Sequence, residues 1–280
     1  MLIDLHTHSS ASDGTDTPAG VIAAAALVGL DVVALTDHDT TVGWAQATRA
    51  ASDTGVAVVL GTEVSTRARG ISVHLLSYLQ DPTHPALVAE LERTRIARLS
   101  RARTMVDLLA ADFDLSWDDV VAQTVADTTV GRPHIADALV ARGVVPDRSA
   151  AFASLLSARS AYYVPHYAPE VLDAITAVRA AGGVPVFAHP GALERGRVVS
   201  DATIEAMADA GLAGLEVHHR DHSPAQVARL TAIAVRLGLL ITGSSDYHGQ
   251  GKPNRMGENV TDPGVLEAIE GQGRTAVVRP

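Results

Sequence analysis

A chain of 280 residues that is 47% apolar is long enough to bury one barrel-sized core, or such a core with an insertion. The absence of cysteine removes disulfides, thiolate nucleophiles and Cys-ligated metal sites together, so any metal must rest on histidine and carboxylate. A formal charge of −10 argues against a protein that coats duplex nucleic acid, and the single lysine, Lys252 in a Gly- and Pro-rich loop, argues against Schiff-base chemistry.

In chain order, short apolar runs recur at Leu2–Leu5, Val32–Leu35, Val56–Leu60, Ile71–Leu76, Val184–Ala188, Gly214–Val217 and Leu239–Thr242. Each reads as a strand. Helix-like segments lie between most of them, at Pro18–Gly29, Val42–Thr54, Pro169–Ala181 and Pro224–Leu237. Strands alternating with helices predict an α/β protein with a mainly parallel sheet, closed or nearly closed as a barrel.

Residues 84–165 break that rhythm, with Pro85–Ala111, Ser116–Thr124 and Arg132–Arg142 as candidate helices, and read as a helical insertion between barrel segments 1–83 and 166–280. The first of these helices carries Arg93, Arg95, Arg98, Arg101 and Arg103, which read as a solvated face balanced by Glu90 and Glu92, or else as a path for phosphates. The longest apolar stretch, Val21–Thr36, is interrupted by Gly29 and Asp31 and is too short to span a bilayer. Asp4, His6 and His8 stand where a signal peptide needs apolar residues, so a cytoplasmic protein without membrane contact is expected.

Six of the seven runs contain or end in a metal-type ligand. The first leads into His6 and His8, two apart and therefore on one side of an extended segment, followed by Asp13 in Ser-Asp-Gly. The second stops at Thr-Asp-His38-Asp and the third at Gly-Thr-Glu63. His74 lies in the fourth, His189 follows the fifth in Ala-His-Pro-Gly, and Asp246 and His248 follow the last in Ser-Asp-Tyr-His. Taken singly, each has a structural reading as a helix cap, a salt bridge or a packed histidine. Together they mark the C-terminal strand ends where parallel α/β barrels place their active sites. Six imidazoles and three carboxylates exceed the needs of one ion, so two or three are implied, and mixed nitrogen and oxygen ligation suits manganese, iron or zinc.

These motifs, with Gly131-Arg-Pro-His-Ile-Ala and Tyr163-Val-Pro, resemble the PHP (polymerase and histidinol phosphatase) superfamily. The likeness is strongest to its branch of 3′,5′-nucleoside bisphosphate phosphatases and 5′-3′ exoribonucleases. The resemblance implies a distorted seven-stranded (β/α)7 barrel of TIM-like form with a helical insertion. It implies metal ligands at His6, His8, Asp13, His38, Glu63, His74, His189, Asp246 and His248, with manganese the first choice of metal. It also implies a grouping in which Glu63 bridges an ion held by His6, His8 and Asp246 to one held by His74 and His189, while Asp13, His38 and His248 complete a third site. Relatives often carry a basic residue after Tyr-Val-Pro, where this chain has His166, which puts phosphate binding by that loop in question.

The expected chemistry is hydrolysis of a phosphate ester by a metal-activated hydroxide, with Glu63 catalytic through the metals. Arg132 is the first choice for a phosphate clamp, because a guanidinium holds two oxygens at once. His134, at a helix start, is expected to bind phosphate or protonate the leaving alkoxide, and His222 to lie on the substrate side. The substrate is expected to be a small nucleotide such as a 3′,5′-bisphosphate or AMP, or alternatively short 5′-phosphorylated single-stranded RNA. A histidinol-phosphate-type phosphatase and an amidohydrolase barrel are the weaker alternatives; Lys252 is in the wrong place for the carboxylated lysine bridge of the latter.

Overall fold

The seven apolar runs form strands that pair side by side in chain order: β1 (Ile3–Asp4), β2 (Val32–Leu35), β3 (Ala57–Ala68), β4 (Ile71–Tyr78), β5 (Val184–Phe187), β6 (Gly214–His218) and β7 (Leu240–Gly243). The computed structural model describes residues 1–193 and 196–280. Parallel pairing joins β1 to β3 and β5 to β7. A parallel bridge between Thr7 and Tyr247 brings the loops after β1 and β7 together, so the sheet is nearly closed into a distorted TIM-like barrel.

The sheet is mainly parallel, as expected, with the exception of β4, which runs antiparallel to both neighbours. The cause is local. Arg69 and Gly70 both take positive φ, 50° and 79°, giving the primed turn that folds a twisted strand straight back on itself. The same hairpin extends β3 to Ala68, well past the apolar run, and so places Glu63 inside a strand opposite Leu76.

Period-two alternation divides the sheet into two faces. Ile3, Ala34, Val59, Leu76, Tyr78 and Val186 belong to one core cluster inside the barrel. The opposite faces pack on helices. Val33, Leu35 and Val58 meet α1 (Pro18–Leu27) and α2 (Trp44–Thr54), while Leu75, Phe187, Leu215 and Val217 meet α7 (Val171–Ala180), α8 (Asp201–Asp209) and α9 (Pro224–Leu237). Thr17-Pro18 and Ser223-Pro224 start α1 and α9 with a side-chain cap followed by a proline at the first helical position, a combination worth on the order of 1 kcal/mol per cap.

Between β4 and α7 lie α3 (Pro85–Leu109), α4 (Trp117–Val121), α5 (Arg132–Ala141) and α6 (Arg148–Ala153), which enclose a separate cluster around Met105, Leu109, Ile135 and Leu139. After β7, α10 (Pro263–Glu270) and the chain end fold under the barrel. There Thr261 donates to the Ile3 carbonyl and Val278 pairs with Val58, so this segment seals the end opposite the strand C-termini. Among the described residues no helix is long and apolar enough to cross a membrane.

Candidate metal centre

Glu63 is the hub of the strand C-termini. Its Oε1 lies 2.8 Å from His74 Nδ1 and 3.0 Å from His189 Nε2. Its Oε2 lies 3.1 Å from His38 Nδ1, 3.2 Å from His8 Nε2 and 3.4 Å from His6 Nε2. One carboxylate therefore presents each oxygen to a different group of imidazoles. Asp246 Oδ1 closes the His6 and His8 side at 3.5 Å from each Nε2, and Asp13 lies 3.2 Å from His248 Nε2 and 3.7 Å from His38 Nε2. His38 borders both the Glu63 and the Asp13 groups, so the three-way partition implied by resemblance is not sharp at that residue.

Local sequence explains why these side chains converge. A Cβ on Gly14 would sit 2.4 Å from the His8 carbonyl oxygen, so only glycine lets the Asp13 turn fold back against His8. Asp39, His189 and Asp246 hold left-handed backbone with φ of 53°, 32° and 54°, a conformation costing on the order of 1–3 kcal/mol each for a non-glycine residue. Buried carboxylates that the sequence did not flag hold the His189 and Asp246 backbone, and another fixes the Asp13 turn. Asp37 accepts from the Ser9 amide and from the hydroxyls of Ser9 and Ser12, fixing the His8–Asp13 turn. Asp4 accepts from the amides of Ser245 and Gly257, fixing the Asp246 loop. Glu216 accepts from His6 Nδ1 at 2.9 Å, the His189 amide at 2.6 Å and the Ser244 hydroxyl at 2.7 Å. Glu216 had no flag in the sequence because Gly-Leu-Glu-Val reads as an ordinary strand run.

Burial would suppress every charge here, yet the charges are mutually sustained. Burial raises the Glu63 carboxyl, but His74, His38 and His6 overcome this and hold it well below the usual carboxylate range. Burial likewise lowers His6, but Glu216, Glu63 and Asp246 reverse it and raise the imidazole well above its ordinary value. His38 goes the other way, pushed well down by burial. Two imidazole nitrogens, His6 Nε2 and His8 Nε2, face each other at 3.0 Å, and among the described residues the buried His38 Nδ1 and His248 Nε2 meet no partner in hydrogen-bond geometry. So many imidazoles and carboxylates in one buried cluster, all nitrogen and oxygen donors, fit a centre for borderline divalent ions.

The PHP domain profile matches residues 4–113. Over 280 residues the chain is 35% identical to a 3′,5′-nucleoside bisphosphate phosphatase of Chromobacterium violaceum, covering 99% of this chain and 98% of that protein. The chain belongs to the PHP family. It is also 35% identical over 89% of its length to a phosphoribosyl 1,2-cyclic phosphate 1,2-diphosphodiesterase of Eggerthella lenta, covering 95% of that protein. It is 27% identical over 96% of its length to a 5′-3′ exoribonuclease of Escherichia coli, covering 92% of that protein. A crystal structure assigned as a metal-dependent phosphoesterase from Bifidobacterium adolescentis superposes with a TM-score of 0.95 at 47% identity, covering 97% of this chain and 96% of that one.

This PHP phosphoesterase carries a second cluster beside the first, built from arginines. Arg98, buried on α3, donates to Asp39 Oδ2 at 3.1 Å and Ser65 Oγ at 2.6 Å, next to His38. Arg101 on the same face donates to His166 Nδ1 at 3.0 Å. Arg132 donates to the Leu156 carbonyl and stands near the rings of Phe152 and Tyr163. Arg67 meets the His166 carbonyl. Burial, Arg98 and Arg132 lower the Arg101 guanidinium to about 9. Burial together with Arg101 and Arg98 lowers His166 to about 2, so His166 enters as a neutral acceptor. Arg93, Arg95 and Arg103 point outward, so the α3 arginines divide between the two readings made of them from sequence.

His134 and His222 both meet backbone groups near the centre. The Gly131 amide donates to His134 Nδ1 at 3.1 Å, and burial lowers this imidazole below its ordinary value. His222 donates from Nδ1 to the Val217 carbonyl at 2.8 Å and accepts the Gly191 amide at Nε2 at 3.0 Å. It anchors the loop bearing His189 to β6.

Proposed function

We propose that this phosphoesterase removes a phosphate from a small nucleotide, of which a 3′,5′-bisphosphate is the representative. The observation that carries the reading is the juxtaposition of Arg67, Arg98, Arg101 and Arg132 with the histidine and carboxylate centre. Among the described residues only Arg98 of these four has a carboxylate partner, so the group carries an uncompensated positive charge suited to a second phosphate.

In this reading His6, His8, Asp13, His38, Glu63, His74, His189, Asp246 and His248 hold two or three divalent ions, manganese first, iron or zinc as alternatives. Such ions supply Lewis acidity toward a phosphoryl oxygen and acidify water near neutral pH. Glu63 joins the two imidazole groups through its separate oxygens, and Glu216 fixes His6. Arg101 and Arg132 hold the non-reacting phosphate, which orients the ester at the centre. Segments 1–83 and 166–280 thus form the barrel that carries the metal ligands, and segment 84–165 supplies Arg98, Arg101 and Arg132 to the substrate.

A second reading, stepwise release of nucleotides from short 5′-phosphorylated RNA, draws on the same arginines, since a 5′-phosphate is as good an anchor as a second phosphate on a mononucleotide. Mass spectrometry of products separates the two. Manganese-loaded protein is incubated with adenosine 3′,5′-bisphosphate, with a ribose 1,2-cyclic phosphate 5-phosphate, and with a 5′-phosphorylated RNA pentamer. AMP and phosphate from the first is the expected result. Successive mononucleotides from the pentamer would establish the nuclease reading, and turnover of the cyclic ester alone would displace both.

A further inference from the structure

The two oxygens of Asp246 face opposite surroundings. Oδ1 looks into the imidazoles, 3.5 Å from His6 Nε2, 3.5 Å from His8 Nε2 and 3.4 Å from His248 Nδ1. Oδ2 looks toward proton donors, 3.1 Å from Lys252 Nζ and 3.7 Å from His219 Nε2. Neither donor belongs to the nine-residue ligand set.

The state of His219 follows from its other nitrogen. The Asp221 amide donates to His219 Nδ1 at 3.0 Å, so that nitrogen is an acceptor and the proton of the neutral ring sits on Nε2. The Nε2–H is buried, has no hydrogen bond among the described residues and lies 3.7 Å from Asp246 Oδ2. A ring in this tautomer donates; it does not ligate a metal through Nε2.

Lys252 is equally fixed, although it is the one lysine and lies in a Gly- and Pro-rich stretch. Gln250 donates to Thr15 Oγ1 at 2.8 Å, the Asn254 amide group to the Ser245 carbonyl at 2.6 Å, and Arg220 to the Pro253 carbonyl at 2.6 Å. The loop is thereby tied on three sides, and the ammonium reaches a buried carboxylate from a side chain that is 31% exposed.

We propose that Lys252 and His219 are positioning residues that reserve Oδ2 of Asp246, so that this carboxylate gives the metal centre one oxygen only. A carboxylate can offer an ion one oxygen or both. Engaging the second oxygen elsewhere keeps a coordination position open for water or substrate. The inference rests on the metal-centre reading above and extends it to two residues outside the ligand set.

The test counts water on bound manganese by water-proton relaxation, with manganese content measured on the same samples. The wild type is compared with Lys252→Met, Lys252→Arg, His219→Phe and the Lys252→Met/His219→Phe double variant. The expected result is lower relaxation enhancement per bound ion in Lys252→Met, lower again in the double variant, and the wild-type value in Lys252→Arg. Turnover falls about tenfold in Lys252→Met, the lower end of what outer-sphere partners of metal ligands contribute. Unchanged enhancement in the double variant overturns the inference, as does an equal drop in Lys252→Arg or loss of manganese loading in Lys252→Met, since neither residue supplies a ligand. Because relaxation needs no substrate, the drop can appear in a protein that leaves nucleotides intact, and nucleotide hydrolysis with unchanged relaxation would remove this inference alone. A wild type that binds no manganese removes both.

Discussion

Glu216 Oε1 lies 2.9 Å from His6 Nδ1 with both side chains fully buried, and this one contact turns the other nitrogen of His6 toward Glu63 and Asp246. Because Glu216 also accepts the His189 amide, it couples ligands on two strand ends. Glu216→Gln keeps the shape but removes the charge and one acceptor. Manganese affinity is expected to fall about 10–100-fold, the usual cost of losing a carboxylate behind a ligating histidine. Competition against a metal indicator measures it, and an unchanged affinity would detach Glu216 from the centre.

Arg101 is buried among other cations and, among the described residues, donates to His166 alone, so its guanidinium is available to an anion, whereas Arg103, two residues on, lies exposed over the Trp117 ring. Arg101→Met is expected to raise KM for a bisphosphate at least about tenfold, as a charged hydrogen bond contributes roughly 1.5–3 kcal/mol. Arg103→Met should leave KM where it is. Steady-state kinetics on the pair checks both, and equal effects would dissolve the arginine cluster as a binding element.

A pH dependence follows from His8. Burial lowers this imidazole, but hydrogen bonds with Asp246 and Glu63 and the charge of Glu63 and Asp13 raise it to about 9. A folded pKa above the ordinary value stabilises the metal-free protein fully below roughly 6.5, and that contribution is lost as pH rises through about 9. Metal binding needs the bare nitrogen, so it releases a proton below that pH. Manganese affinity is therefore expected to climb between about pH 6.5 and 9. Calorimetry at pH 7 in buffers of different ionisation enthalpy reads the proton count, and zero release would contradict the assignment.

His222 bonds the Val217 carbonyl and the Gly191 amide from inside the barrel rim. His222→Ala strands both backbone groups, at about 1–3 kcal/mol each, and loosens the loop holding His189. A melting temperature lower by several degrees with reduced manganese content is expected from calorimetry. An unchanged melting temperature, with a shifted pH–rate profile in its place, would return His222 to the substrate side.

Much of this was legible in the residues themselves. Most ligand-bearing runs lead into a polar turn, His74 inside β4 being the exception, and the strand-end rule then brings together residues as distant as His6 and His248. The direction of β4 was not legible from apolar runs, because β3 continues through Thr62, Glu63, Ser65, Thr66 and Arg67, polar residues that read as loop. The Arg69-Gly70 pair, a two-residue turn between extended segments, was the available signal. Arg98 and Arg101 were hidden by their neighbours' charges, yet Leu87, Leu91, Thr94, Arg98, Arg101 and Met105 recur at three- and four-residue steps and are all buried, so the two arginines occupy an inward stripe. Histidine beside a helix start suits an anion site and a backbone brace equally well, so the contacts of His134 with Gly131 and of His222 with Gly191 and Val217 were not legible in the sequence.

The bridging role of Glu63 is open to one direct measurement. Wild type and Glu63→Gln are reconstituted with manganese, freed of unbound metal, and assayed together for metal per chain and for phosphate released from adenosine 3′,5′-bisphosphate. The expected result is more than one ion per wild-type chain, turnover abolished by chelation, and both metal content and turnover lost in Glu63→Gln. Full turnover in Glu63→Gln, or in the chelated wild type, would contradict a metal centre organised on that carboxylate.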